Sequence, residues 1–123
     1  MEFKRMSRTS LACTIGLGLA LTVAPMQAQS GATTAAHGAE VYVAQKCALC
    51  HSIAGKGNPR GALDDVGSRL TPDEIRQWIV DATGMTEKTK AARKPVMRNY
   101  KLSVEDLAAL VAYLESLKAP EAP

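Results

Sequence analysis

The sequence is short of large side chains. Its 123 residues include one Phe, one Trp and three Tyr, so aromatics make up 4% of the chain. Phe3 lies in an N-terminal stretch read below as removable, which leaves Trp78, Tyr42, Tyr100 and Tyr113 for a folded domain. Small domains bury a low fraction of their surface, and a core this poor in aromatics is easier to understand when a non-protein group fills its centre. Metal-ligating residues are scarce as well. A structural zinc site needs four ligands, and beyond Cys47, Cys50 and His51 the remaining candidates are His37 and Cys13, the latter in the removable stretch. No run of β-branched residues precedes Cys47, which argues against a thioredoxin-type dithiol. Gly55-Lys56-Gly57 lacks the preceding strand and the spacing of a phosphate loop. There are no internal repeats and no acid–base or nucleophile constellation, so nothing points to an enzyme. A charge excess is missing too. The net charge of +3 falls to about +1 once Glu2, Lys4, Arg5 and Arg8 are removed, giving no reason to expect nucleic acid as a partner.

The N-terminus, residues 1–28, reads as a secretory signal peptide. Lys4, Arg5 and Arg8 form its positive region, Leu11 to Ala24 its apolar region, and Pro25-Met26-Gln27-Ala28 the approach to the cut. The apolar run is short of the roughly 20 residues a membrane span requires, so a membrane is expected only if the signal stays uncleaved. Cys13 stands at the start of the apolar run, whereas a lipidated cysteine would follow it. The expected location of the mature chain is the periplasm.

What the sequence does hold is Cys47-Ala48-Leu49-Cys50-His51, the C-x-x-C-H pattern of c-type haem attachment. Two thiols three residues apart on one turn can add to the two vinyl groups of one haem. The histidine directly after the second thiol is carried under the iron as proximal ligand. A disulfide between Cys47 and Cys50 would be strained across so short a loop. Export agrees with this reading, because covalent haem attachment occurs outside the cytoplasm in bacteria.

In chain order, residues 29–37 read as a flexible lead-in, with His37 solvated at its end. A first helix is expected from about Gly38 to His51, with Val41, Ala44 or Gln45 and Leu49 as its stripe. Residues 52–70 hold four glycines and Pro59 and read as an irregular loop. Thr71, Pro72 and Glu74 open a second helix through a capping box, and Ile75, Trp78 and Ile79 form its buried face. Residues 82–102 read as another loop. Ser103 with Asp106 opens a third helix, whose apolar face is Val104, Leu107, Ala108, Leu110, Val111, Leu114 and Leu117. Residues 119–123 read as a disordered tail. A six-coordinate haem needs a ligand opposite His51. Met97, on the segment that feeds the last helix, is favoured, with Met85 the alternative; filling a core gap is the other role open to either.

Taken together these residues resemble the class I cytochromes c of the small, monohaem bacterial type. The resemblance covers residues 38–118. It rests on Gly38 with Tyr42, the Cys47–His51 motif, Leu63, Trp78-Ile79, Met97 and Leu110-Val111-Ala112-Tyr113-Leu114. It implies an all-α cytochrome c fold, with three main helices and long loops around one covalently bound haem c and its iron. It implies that the first and last helices cross, setting Gly38 and Tyr42 against Leu110 and Tyr113. Met97 matches the distal methionine. Trp78 matches a tryptophan that often donates to a haem propionate, although ordinary packing serves equally well. Two departures stand out. The family often has Gly-Pro-x-Leu after the haem histidine, with the proline carbonyl accepting from the proximal ring; here the chain reads Gly61-Ala62-Leu63, so the Ala62 carbonyl is expected in that role. Asp65 stands where similar chains often carry glycine. The expected function is single-electron transfer between redox protein partners such as an acidic-surfaced oxidase, reductase or dehydrogenase, with the basic run from Lys88 to Lys101 either steering them or forming a merely solvated loop.

Overall fold

The computed structural model describes residues 27–120. The signal-peptide reading therefore lies outside the described residues except for its last two, as do residues 121–123 of the tail. Helix α1 (Gln27–Ala44) starts ahead of the expected Gly38, so the lead-in is helical rather than flexible. Ala35, Ala36 and Ala39 carry the highest helix propensity of any residue type. His37 is not simply solvated, since its Nε2 lies 2.9 Å from Asp106 Oδ1 across the fold. The helix also ends sooner than expected. Lys46 takes a left-handed backbone with φ 57°, and Cys47–Leu49 form a separate 3₁₀ turn. That break removes the attachment motif from the α1 stripe, and Leu49 is 73% exposed rather than buried.

The stretch expected to be irregular holds four short elements. Strands β1 (Ser52–Ile53) and β2 (Lys56–Gly57) pair antiparallel, Ser52 with Gly57 and Ile53 with Lys56. Ala54 and Gly55 between them both have positive φ, 49° and 73°, as a two-residue hairpin loop of this hand requires. A 3₁₀ turn at Pro59–Gly61 follows, then helix α2 (Val66–Arg69). Asp65 precedes α2 at φ −124°, so this position does not need glycine; its carboxylate pairs with Arg69 at 2.9 Å.

Helix α3 (Pro72–Val80) opens on the expected capping box: Glu74 N–H donates to Thr71 Oγ1, and Thr71 N–H to the Glu74 carboxylate at 2.9 Å. Helix α4 (Ala82–Thr89) was not expected. It buries only Ala82 and Met85, too few positions to show a period, and Gly84 and three threonines are weak helix formers. Caps hold it instead, with Asp81 Oδ1 accepting from Gly84 N–H at 3.1 Å. Helix α5 (Val104–Ser116) starts at Ser103, whose hydroxyl accepts from Asp106 N–H at 3.0 Å. The Asp106 carboxylate goes to His37 instead of closing a capping box. Val104, counted on the apolar face, is 86% exposed, because the first helical residue stands clear of the packing that begins farther along.

One buried cluster joins α1, α2, α3 and α5: Val41, Tyr42, Val66, Ile75, Ile79, Leu110, Val111 and Leu114. Burial of each large aliphatic contributes about 1.5–3 kcal/mol. The first and last helices cross as expected. A Cβ on Gly38 would overlap the Ala109 carbonyl and come within 2.6 Å of Tyr113 Cβ, so the close approach depends on glycine. Tyr42 meets Tyr113 edge-on, with ring centroids 6.1 Å apart. The architecture is all-α, with three main helices, two short ones and one small hairpin among the described residues.

Candidate functional site

The buried cluster forms one wall of a cavity of about 490 Å³, within the range of about 300–1,000 Å³ typical of cofactor sites. Leu63, Val66, Ile75, Ile79, Leu110 and Leu114 make much of its apolar surface. Cys47, Cys50 and His51 reach it from the 3₁₀ turn after α1, and Met97 reaches it from the segment between α4 and α5. Trp78 of α3 is half-buried in the same wall. Met85 is buried on α4 but does not line the cavity. The structure thus brings together Cys47, Cys50, His51, Trp78 and Met97, and leaves Met85 aside.

The geometry around His51 is set by backbone. Its N–H donates to the Cys47 carbonyl at 3.0 Å, closing the turn that carries both thiols. Its ring Nδ1 donates to the carbonyl of Gly61 at 3.0 Å. The sequence pointed to Ala62 for this role. Ala62 is instead bridged to Ser52, with Leu63 N–H donating to Ser52 O at 2.8 Å, and this leaves the preceding carbonyl facing the ring. Donation from Nδ1 fixes the tautomer and leaves Nε2 with a free lone pair, the form that ligates a metal. Burial holds the His51 pKa below its ordinary value; the bond to Gly61 works against this and the nearby Arg93 charge works with it. Burial pushes the Cys47 thiol up, with Arg98 opposing, while Cys50 is exposed.

Residues that the sequence did not single out for the cavity complete the site. Arg93 donates to the Cys50 carbonyl and lies so close to Gly61 that a side chain there would collide with it. Arg69 and Arg93 both line the cavity, and no carboxylate does among the described residues. Tyr42 also lines it, and its hydroxyl is buried with no hydrogen-bond partner; burial raises its pKa to about 12. The basic run was visible in the sequence, but Arg93's partner lies 43 residues away.

The family model for cytochrome c matches residues 35–118. The chain belongs to the cytochrome c family. Members carry covalently bound haem c with its iron, and residues 35–118 make this chain a haem-binding cytochrome. A protein of Alkalihalophilus pseudofirmus described as cytochrome c oxidase subunit 2 is 31% identical over 98 residues, covering 72% of this chain and 27% of its own length. The cytochrome therefore spans about a quarter of that relative. No solved structure matches it significantly. The cavity fits haem on its own chemistry: two thiols, an imidazole with a bare nitrogen and a thioether surround an apolar space. Two guanidinium groups in its wall, Arg93 and the Asp65-paired Arg69, suit the acid groups of the ring, and the orphaned Tyr42 hydroxyl marks a place where a polar neighbour is wanted.

Proposed function

We propose that this cytochrome is an exported, periplasmic carrier of single electrons. Cys47 and Cys50 hold the haem as thioethers, His51 is the proximal iron ligand and Met97 the distal one. The bound haem supplies a one-electron couple, whose potential is higher with methionine opposite histidine than with two histidines. The supporting observation is the convergence of two chain segments on one cavity, with Met97 in its wall and Met85 outside it. Gly61 orients the His51 ring, and burial keeps that ring neutral and able to ligate. Ligands held in place by the fold leave little to rearrange when an electron arrives or leaves. Trp78 has an indole N–H suited to a propionate, with plain packing as the other role. Exposed Cys50 and Leu49 mark the edge through which electrons pass to docked partners. Exposed Lys88, Lys90, Lys94 and Lys101 steer an acidic partner there.

Export rests on Lys4, Arg5 and Arg8 followed by the apolar run. No helix among the described residues is long and apolar enough to cross a membrane. The test is the intact denatured mass of protein exported by a host that attaches haem. The expected mass is the chain cut near Ala28 plus one haem, and a mass without haem returns Cys47 and Cys50 to thiol chemistry. In the ferric spectrum, Met97→Ala should abolish the sulfur-to-iron charge-transfer band and Met85→Ala should keep it. A second reading comes from the likeness to an oxidase subunit: an electron-accepting unit bound to one oxidase instead of a free shuttle. Stable co-purification with an oxidase at physiological salt supports the second reading, and a monomeric, freely exchanging protein the first.

A further inference from the structure

Met97 sits in a stretch of chain with little hold on itself. No backbone amide between residues 92 and 99 donates to another backbone group among the described residues. Side chains take over at both ends. Four residues before Met97, Arg93 donates to the carbonyl of Cys50, within the attachment motif. Two residues after it, Asn99 Oδ1 accepts from Thr83 N–H at 3.1 Å and from the Thr83 hydroxyl at 3.4 Å. The first N–H groups of a helix have no partner of their own. On α4, Asp81 takes the Gly84 N–H and Asn99 takes that of Thr83. The second tie therefore caps α4 and seats the Met97 segment at once. Just beyond, Tyr100 N–H donates to Ile79 O at 2.9 Å and closes the segment onto α3.

We infer that Arg93 and Asn99 are positioning residues that clasp the Met97 segment over the cavity, and that this clasp sets how often the distal iron position opens to an outside ligand. The inference rests on Met97 being the distal ligand. Neither residue needs to touch the haem for this. Opening the segment requires both side-chain ties to break, and a hydrogen bond from a charged donor is worth more than a neutral one. An outside ligand binds only the open form, so its apparent affinity is its intrinsic affinity scaled by the open fraction. Weakening either tie raises that fraction directly.

Imidazole is the probe, titrated into the ferric holo-protein at one fixed pH and followed by loss of the sulfur-to-iron band. Arg93→Gln should lower its apparent Kd about tenfold and Asn99→Ala about threefold, in keeping with the charged and neutral donors. Asn99→Asp keeps the acceptor oxygen and should restore the wild-type Kd, and Arg93→Lys should restore it in part. A general loss of stability would not sort the variants this way, and urea unfolding followed by Trp78 fluorescence supplies the comparison. Wild-type Kd values for Arg93→Gln and Asn99→Ala would overturn the clasp, provided that Met97→Ala binds imidazole far more tightly. If Asn99→Asp is as weakened as Asn99→Ala, the acceptor is not what holds the segment and the clasp also falls. If Met97→Ala itself binds like wild type, the ligand assignment fails first. Where Asn99→Ala does not fold, the Arg93 pair with Asn99→Asp still decides.

Discussion

On the attachment side of the cavity, from Cys47 to Leu63, the backbone holds itself. Asn58 N–H is shared between Ala48 O at 3.2 Å and His51 O at 2.9 Å, and Leu63 N–H reaches Ser52 O. A hairpin and two 3₁₀ turns fit into this short span. On the Met97 side, residues 92–99 form no such bonds among the described residues, and Arg93 and Asn99 do the tying. The contrast implies a division of labour. His51 is placed by groups present in every residue, and so is insensitive to most side-chain changes. Met97 is placed by two particular side chains, so single substitutions can loosen it without dismantling the fold.

The largest effect should come from breaking the stronger side at its tightest point. Gly61→Val would drive a side chain into the Cys50 carbonyl and the Arg93 guanidinium, and displace the carbonyl that orients His51. Urea unfolding of the holo-protein should show a loss of about 3 kcal/mol, with less haem incorporated. A loss below about 0.5 kcal/mol would mean that the backbone frame yields more easily than the contrast requires. The next effect needs no mutation. Amide exchange should be at least about a hundredfold slower at Asn58 and Leu63 than across residues 92–99. Equal rates would erase the distinction between the two sides. A smaller effect of opposite sign is expected at the hairpin. Ala54 is strained at φ 49°, and Ala54→Asn creates the Asn-Gly pair that such loops favour. It should stabilise the protein by about 0.5–1 kcal/mol in the same unfolding measurement.

The legible features are those whose chemistry is local. The C-x-x-C-H motif, the Thr71 and Glu74 box and the Ser103 cap each lie within a few residues. The place of Met97 before the closing helix favours it, and the cavity wall includes it. What could not be read depends on partners far along the chain. Helix α4 has no apolar period, and its second cap comes from Asn99, 16 residues on. The end of α1 turns on Lys46 adopting a left-handed backbone, for which lysine carries no signal. Which carbonyl meets His51 depends on the bridge from Ser52 to Ala62, so the expectation missed by one residue. Leu49 and Val104 looked like core by spacing, yet both sit where their helices leave the packing.

His37 provides the smallest effect and extends the comparison to a third place, the helix crossing remote from the cavity. Its Nε2 lies 2.9 Å from Asp106 Oδ1 and its Nδ1 3.5 Å from Glu40 Oε2. Glu105 stands beside the same cleft. Hydrogen bonds to Asp106 and then Glu40 raise the His37 pKa above its ordinary 6.5. A raised folded-state pKa gives the sign. The tie contributes in full below 6.5, where His37 is protonated in both the folded and unfolded chain, and it is lost as pH climbs through the folded value. The Tm difference between wild type and His37→Gln should therefore be larger at pH 5.5 than at pH 8, both above the ordinary carboxylate range. Solvent and salt screen an exposed pair of this kind, so the difference should shrink further in high salt. A difference that is constant with pH would leave the crossing held by Gly38, the tyrosine pair and the buried aliphatics, with no part for His37. In that case a side-chain tie matters only where the backbone has nothing of its own to offer, as it does around Met97.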